Sequence, residues 1–162
     1  GIREEHRAVR NSAGLFDVSH MGEVFVTGPE AKAFTQWMTT NDVEAVKDFQ
    51  AQYTLLCNPE GGVVDDVIIY KLSDDEFLFC VNASNTDKDY EWIKAESERF
   101  DVSVDNRSHE YSQIAIQGPD SGKILGNLLG DELSKVGRFR FRAFNWNGME
   151  IIAARTGYTG ED

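Results

Sequence analysis

The segment Gly61-Gly62-Val63-Val64-Asp65-Asp66-Val67-Ile68-Ile69-Tyr70 sets two adjacent carboxylates inside an otherwise apolar run. Apolar residues of this kind after a Gly-Gly turn read as a strand. Strand side chains alternate, so Val64, Asp66, Ile68 and Tyr70 share one face, while Val63, Asp65, Val67 and Ile69 share the other. The two acids point opposite ways and do not form an acid/base couple. An acid on an apolar face must find hydrogen bonds or a ligand, because an unpaired buried carboxylate costs several kcal/mol or is neutralised by a raised pKa. Functional sites tolerate such costs. The structural alternative is that one or both acids cap a neighbouring turn or pair with an arginine such as Arg155.

A chain of 162 residues that is 41% hydrophobic and 11% aromatic can bury a core. Its net charge of −12, from 16 basic and 28 acidic residues, argues against nucleic acid and anionic membrane surfaces as partners. That charge reads as a solvated acidic surface, or else as steering toward a cationic partner. No uncharged apolar stretch approaches the ~18 residues of a membrane span, so a soluble chain is expected. Cys57 and Cys80 lie in apolar strand-like runs without C-x-x-C spacing and read as buried free thiols in a reducing compartment. His6, His20 and His109 show no zinc-ligand spacing, and no metal is expected. The start at Gly1-Ile2-Arg3 without an initiator Met, and the end at Gly160-Glu161-Asp162 just after a turn-rich run, read as the ends of a piece of a longer protein.

The pattern predicts a helix over Arg3 to Asn11, broken at Ala13-Gly14, then extended segments through Leu15-Phe16-Asp17-Val18 and Glu23 to Thr27. A helix over about 28–39 follows, with Thr27 as cap, Glu30 three residues on, and Ala31, Phe34, Trp37 and Met38 at helical spacing. Residues 51–57, 62–71 and 75–82 read as an antiparallel meander. Thr86-Asp87-Lys88-Asp89 starts a helix with Tyr90, Ile93 and Phe100 on its buried side and its charges on a solvated face. Strands near 101–106 and 111–117 precede a helix with Ile124, Leu125, Leu128 and Leu129 as its buried stripe and Gly130 as its stop. Arg138 to Arg155 contains the hairpin signal Asn147-Gly148. Val24-Phe25-Val26-Thr27-Gly28-Pro29-Glu30 and Ile114-Ala115-Ile116-Gln117-Gly118-Pro119-Asp120 repeat one pattern 90 residues apart. Two related α+β halves explain it; so does a common strand-to-helix turn met twice. Two copies exclude a solenoid.

Tyr53 and Tyr158 could set phenol rings beside the Asp66 strand, where a flat aromatic or pterin-like ligand would stack; as isolated residues they equally fit a core or rim. Arg138, Arg140 and Arg142 alternate toward either a polyanionic tail or solvent. Dinucleotide, Walker, nucleophile-elbow and kinase signatures are missing.

Three segments, Gly14-Leu15-Phe16-Asp17-Val18-Ser19-His20-Met21-Gly22-Glu23, Gly61 to Asp66, and Arg155-Thr156-Gly157-Tyr158-Thr159-Gly160-Glu161-Asp162, together resemble the glycine cleavage T-protein family of tetrahydrofolate-dependent aminomethyltransferases. The resemblance runs along the whole chain. It implies an α+β fold of antiparallel sheets flanked by helices in two related halves, with a C-terminal barrel domain lying outside this chain. A subdivision into 1–45 plus 138–162 and 46–137 is expected. The implied reaction passes an aminomethyl group from the lipoyl arm of the H-protein to tetrahydrofolate, with release of ammonia. The implied catalytic residue is Asp66, and the implied folate-binding residues are Tyr53, Asp66, Tyr70, Asn82 and Tyr158; Asp65 is expected to be structural. His20 has the pKa range of a general base; the family places its essential carboxylate elsewhere, so His20 is expected to be structural or to line the ligand. The implied partners are lipoylated H-protein and folate, and the implied compartment is the bacterial cytoplasm or, in a eukaryote, the mitochondrial matrix. Sibling folds in dimethylglycine- and sarcosine-oxidising enzymes and in demethylases share the Gly-Gly and Asp elements, and a non-catalytic folate-binding module is a further alternative. The piece alone is expected to be inactive.

Overall fold

The computed structural model describes residues 1–161. In chain order it contains α1 (Ile2–Asn11), β1 (Gly14–Asp17), β2 (Gly22–Thr27), α2 (Ala31–Met38), β3 (Gln50–Cys57), β4 (Val63–Ser73), β5 (Glu76–Val81), α3 (Thr86–Glu96), β6 (Ser103–Asn106), β7 (Ile114–Gln117), α4 (Ser121–Leu129), β8 (Phe141–Trp146) and β9 (Met149–Ala154). Contacts gather these into two units, Ser19–Gln113 and Gly1–Val18 with the chain from Ile114 onward. The expected division at 45/46 and 137/138 follows other boundaries. It would separate α2 from β5, on which that helix packs, and β1 from β7, with which it pairs.

The central unit is a five-stranded sheet in the order β3-β4-β5-β2-β6, antiparallel throughout. The β3-β4-β5 meander is as the turn chemistry predicts. One face of this sheet carries Val24, Val26, Val67, Ile69, Phe77, Phe79 and Val81, which pack with Phe34 of α2 and Ile93 of α3 into a continuous core. Phe100 lies beyond the end of α3 and meets Phe34 edge-on with ring centroids 5.3 Å apart. Each fully buried side chain of this size is worth about 1.5–3 kcal/mol, so the core of the chain sits here. The other unit, among the described residues, buries only Val9, Val136 and Phe141 among its hydrophobic side chains.

Two helices depart from the sequence expectation. Helix α2 begins at Ala31, and no side chain caps it: the Glu30 carboxylate accepts a hydrogen bond from the Asp101 N–H at 2.6 Å instead of closing a box with Thr27. The expected buried stripe of α4 is half open, with Ile124 38% and Leu128 51% exposed. Among the described residues, that unit holds two separate two-stranded sheets, β1-β7 and β8-β9.

The repeat at a 90-residue spacing is one of backbone geometry. Gly28 and Gly118 have φ of 134° and 138°, and a Cβ there would lie 2.6 Å from the Asp101 carbonyl oxygen and 2.4 Å from that of Ser12. The acids that follow both turn back to those same segments, Glu30 to the Asp101 N–H and Asp120 to the Ser12 hydroxyl at 2.8 Å. The match runs on into the next strands. Phe49 and Phe139 both take positive φ, 58° and 53°. Their N–H groups donate to Lys71 and Arg155 carbonyls at 2.8 and 2.9 Å. Asn147 and Gly148, at φ of 52° and 83°, close the expected hairpin.

Replacing Gly28 or Gly118 by Ala is expected to lower stability by about 2–4 kcal/mol in urea denaturation, because neither the φ nor the space admits a Cβ. Gly126→Ala, in open space inside α4, should instead add about 0.5–1 kcal/mol. Equal midpoints for all three variants would show that the two turns relax without cost.

Candidate functional site

Strand β4 carries the paired acids, and its alternation sends them to different environments. Asp65 faces the core side, where Leu56, its partner on β3, is fully buried. Asp66 faces the side without helices and is exposed. On that open face Ile68 and Tyr70 follow Asp66 along β4, with Cys80 and Leu78 of β5 beside them in register. Glu23 and Phe25 of β2 continue the row across the sheet. At the far end Tyr111 stacks on Phe25 at 5.7 Å, and the Arg107 guanidinium lies 4.5 Å over the Phe25 ring.

The Tyr53 hydroxyl donates to Asp66 Oδ2 at 3.2 Å. Partial burial and the facing Asp66 carboxylate both push the Tyr53 phenol above its usual range. Asn82, just past β5, donates its amide to Asp65 Oδ1 at 3.0 Å and to the Asp66 backbone carbonyl at 2.9 Å, with Asp66 Oδ1 at 3.4 Å. Its amide hydrogens are thus spent inside the protein. The structure brings Tyr53, Asp66 and Tyr70 onto one sheet face, with Asn82 bound to Asp66 at the edge; Tyr70 is buried and Tyr53 is 49% exposed. Tyr158 belongs to the other unit, 62% exposed, where its N–H donates to Gln117 Oε1 at 3.3 Å. His20 sits exposed in the turn between β1 and β2. Arg142 pairs with Glu132 at 2.7 Å.

Burial pushes Asp65 upward, but hydrogen bonds with Asp89, Asn82 and Asn85 outweigh it and hold the carboxyl below its usual range. Asp65 Oδ1 is thus met locally by Asn82, while Oδ2 has no hydrogen-bond partner. Asp89 overturns one expectation: it is not on the solvated face of α3 but fully buried. Burial first and then the adjacent Asp65 carboxyl raise it to about 7, against the Lys88 ammonium 3.0 Å away, which lowers it. The signal was present in the sequence, since Asp89 precedes buried Ile93 by four residues and so shares its side of the helix. Glu23, also missed, is 5% exposed, and burial raises it to about 7. Its Oε2 has no hydrogen-bond partner. Cys80 beside it is a buried free thiol, pushed up to about 11 first by burial and then by Glu23. Cys57 is free and half-buried rather than buried.

The fold defines an α+β domain of two units built on antiparallel sheets, and the comparisons place it further. The profile of the GCVT N-terminal domain matches residues 1–162, and the chain belongs to that family. It is 50% identical over 162 residues to an aminomethyltransferase of Lysinibacillus sphaericus (strain C3-41), covering 99% of this chain and 44% of that protein. It is 49% identical to an aminomethyltransferase of Desulfitobacterium hafniense (strain DSM 10664 / DCB-2), covering 100% of this chain and 44% of that protein. The crystal structure of glycine cleavage system aminomethyltransferase T from Bartonella henselae superposes with a TM-score of 0.90 at 30% identity, over all of this chain and 43% of that one. The chain therefore spans less than half the length of the relatives it matches. No helix among the described residues is long and apolar enough to cross a membrane.

Glu23 gives the fold a defined pH response. A carboxyl whose pKa rises from 4.5 to about 7 on folding binds its proton more tightly in the folded state, so its contribution is complete below 4.5 and lost as pH rises through 7. Urea midpoints should fall between those limits, with Asp89 acting in the same direction. Glu23→Gln should remove about 2 kcal/mol of that fall. An unchanged pH profile in Glu23→Gln would place the titration elsewhere.

Proposed function

We propose that this chain is the folate-binding part of a tetrahydrofolate-dependent aminomethyltransferase of glycine cleavage, which takes the aminomethyl group from a lipoylated carrier protein and releases ammonia. The observation that carries the reading is Asp66, a carboxylate exposed on the open sheet face and held there from two sides by Tyr53 and Asn82. Family membership supports the reaction class. Because the relatives extend well beyond the matched region, the activity is assigned to the whole protein.

The donor set suits a reduced pterin: a carboxylate to accept from its N–H groups, phenols to border it, and an apolar floor of Ile68 and Leu78 beneath. Bound tetrahydrofolate supplies the nitrogen nucleophiles that accept the one-carbon unit. Asp66 orients that substrate and stabilises the positive charge that develops as ammonia leaves, a positional and electrostatic role. The Tyr53 hydroxyl, donating to Asp66 Oδ2, keeps the carboxylate aimed. Tyr70 borders the floor. Asn82 fixes the backbone and side chain of Asp66.

The test uses the full-length protein, aminomethyl-loaded lipoyl carrier, and ammonia release measured with and without tetrahydrofolate. Folate should stimulate release strongly, and Asp66→Asn should lower the rate about 100- to 1,000-fold with an unchanged circular dichroism spectrum. Retained turnover in Asp66→Asn would remove the role given to that residue. Folate binding without ammonia release would favour a sibling demethylase or oxidase-linked activity, or a binding module.

A further inference from the structure

Behind Asp66, on the core side of β4, the carboxyl groups of Asp65 and Asp89 are neighbours, and three of their four oxygens have no hydrogen-bond partner. Asp89 projects from α3 with no exposed surface, and neither of its oxygens has a hydrogen-bond partner; Asp65 Oδ2 lacks one too. The Lys88 ammonium lies 3.0 Å from Asp89 Oδ1 but is turned to the Val64 carbonyl, to which it donates at 2.5 Å. The other groups around the pair are the amides of Asn82 and Asn85 and, across the strand, Asp66. Two ionised carboxylates in contact at such a buried place repel strongly, whereas one proton between them turns the contact into a hydrogen bond.

We propose that Asp89 is a positioning residue: it shares one proton with Asp65, and this pair, acting through the Asn82 amide, fixes Asp66 on the open face. The connection is continuous. Asp89 neighbours Asp65, and the shared proton would join them; Asp65 Oδ1 accepts from Asn82 Nδ2; the same Nδ2 reaches the Asp66 carbonyl and Oδ1. Asn82 has only one amide nitrogen to divide among these acceptors, so its direction depends on where Asp65 sits. Asp65 in turn has one of its oxygens occupied by Asn82 and the other left for Asp89. Losing the proton would set two negative charges against each other and pull Asp65 away from Asn82. The effect on Asp66 would be displacement, not loss of its charge.

The role assigned to Asp66 rests on the transferase reading, so the experiment separates the two. In the full-length protein, Asp89→Asn keeps a donor toward Asp65 without an ionisable group, and Asp89→Leu keeps the volume without a donor. Asp89→Leu should lower kcat of folate-dependent ammonia release about tenfold or more, with a smaller change in the KM for tetrahydrofolate, and Asp89→Asn should rescue kcat to within about threefold. Infrared difference spectra of wild type against Asp89→Asn should show the carbonyl band of a protonated carboxyl at neutral pH. That band is read whether or not the protein turns over, so it survives failure of the transferase reading. Its absence would overturn the shared proton. A folded Asp89→Leu with unchanged kcat, or a folded Asp89→Asn as impaired as Asp89→Leu, would overturn the positioning role. If Asp89→Leu does not fold, the rescue by Asp89→Asn and the infrared band decide the matter alone.

Discussion

The alternation of β4 from Asp65 to Lys71, between register irregularities that turn Val64 to the core at one end and shift the pairing with β5 at the other, is the constraint on which the rest of the structure depends. Because neighbouring strand residues point to opposite faces, Asp65 and Asp66 cannot share an environment, and the sheet must supply two different solutions four ångströms of backbone apart. On the core side the solution is local: Asp89 comes down from α3, with the Lys88 ammonium 3.0 Å from its Oδ1, and Asn82 reaches across from the end of β5. On the open side Asp66 remains in contact with solvent. The helices α2 and α3 reinforce this division, since their apolar residues, Phe34 and Ile93, seal only the face that carries Val67 and Ile69. A one-residue slip of β4 would exchange the two acids and expose the core row at the same time. The apolar pattern that builds the core therefore also fixes which carboxylate is available for chemistry.

Much of this was legible in the sequence because the relevant signals are local. The period-two pattern of Asp65 to Tyr70 separated the two acids, although Val64, expected beside Asp66, packs against the core because the pairing with β3 shifts register there, and the turn residues around Asn58-Pro59-Glu60-Gly61 and Ser73-Asp74-Asp75 marked the meander. Asn147-Gly148 marked its hairpin for the same reason, since only residues that accept positive φ fit a two-residue turn. The failures are cases in which a distant segment competes for a side chain. Glu30 has the spacing of a capping box with Thr27, yet the Asp101 N–H, 71 positions away, takes its carboxylate. Asp89 reads as an acid in a first helical turn, where acids favour the dipole and solvent. Its burial follows from Asp65, a partner 24 positions earlier in the chain that no helical periodicity could reveal. Glu23 is the same kind of case: its alternation with Phe25 was visible, but nothing local states that the open face is closed over at that point.

The two units show how one local geometry serves different ends. The Gly28 and Gly118 turns each press against a carbonyl two residues ahead of the strand paired alongside, β6 in one unit and β1 in the other. A glycine is required because both the φ and the clearance exclude a Cβ, so the Gly-Pro-acid signal is a packing constraint as well as a good helix start. Beyond that shared junction the units part. In the central unit β5 joins the β3-β4 hairpin to β2 and completes a five-stranded sheet. In the other, among the described residues, no strand joins β8-β9 to β7-β1. Among the described residues, nearly all fully buried hydrophobic side chains belong to the central unit.

Placing the acids on a complete sheet has a mechanical consequence. Asp66 lies on a strand paired on both sides, β3 holding it through the Leu55 register and β5 through the residues that follow, so its backbone has little freedom. What remains adjustable is the carboxylate itself, and Tyr53 and Asn82 restrain it from opposite flanks. Electrostatic catalysis gains from such restraint because a charge that is already aimed need not reorganise when positive charge develops. The same argument distinguishes the two flanks. Tyr53 is half exposed and can move with a ligand, whereas Asn82 is tied to Asp65 and, behind it, to a fully buried Asp89. The rigid side of the restraint is thus rooted in the core, and the compliant side faces the place where a ligand enters.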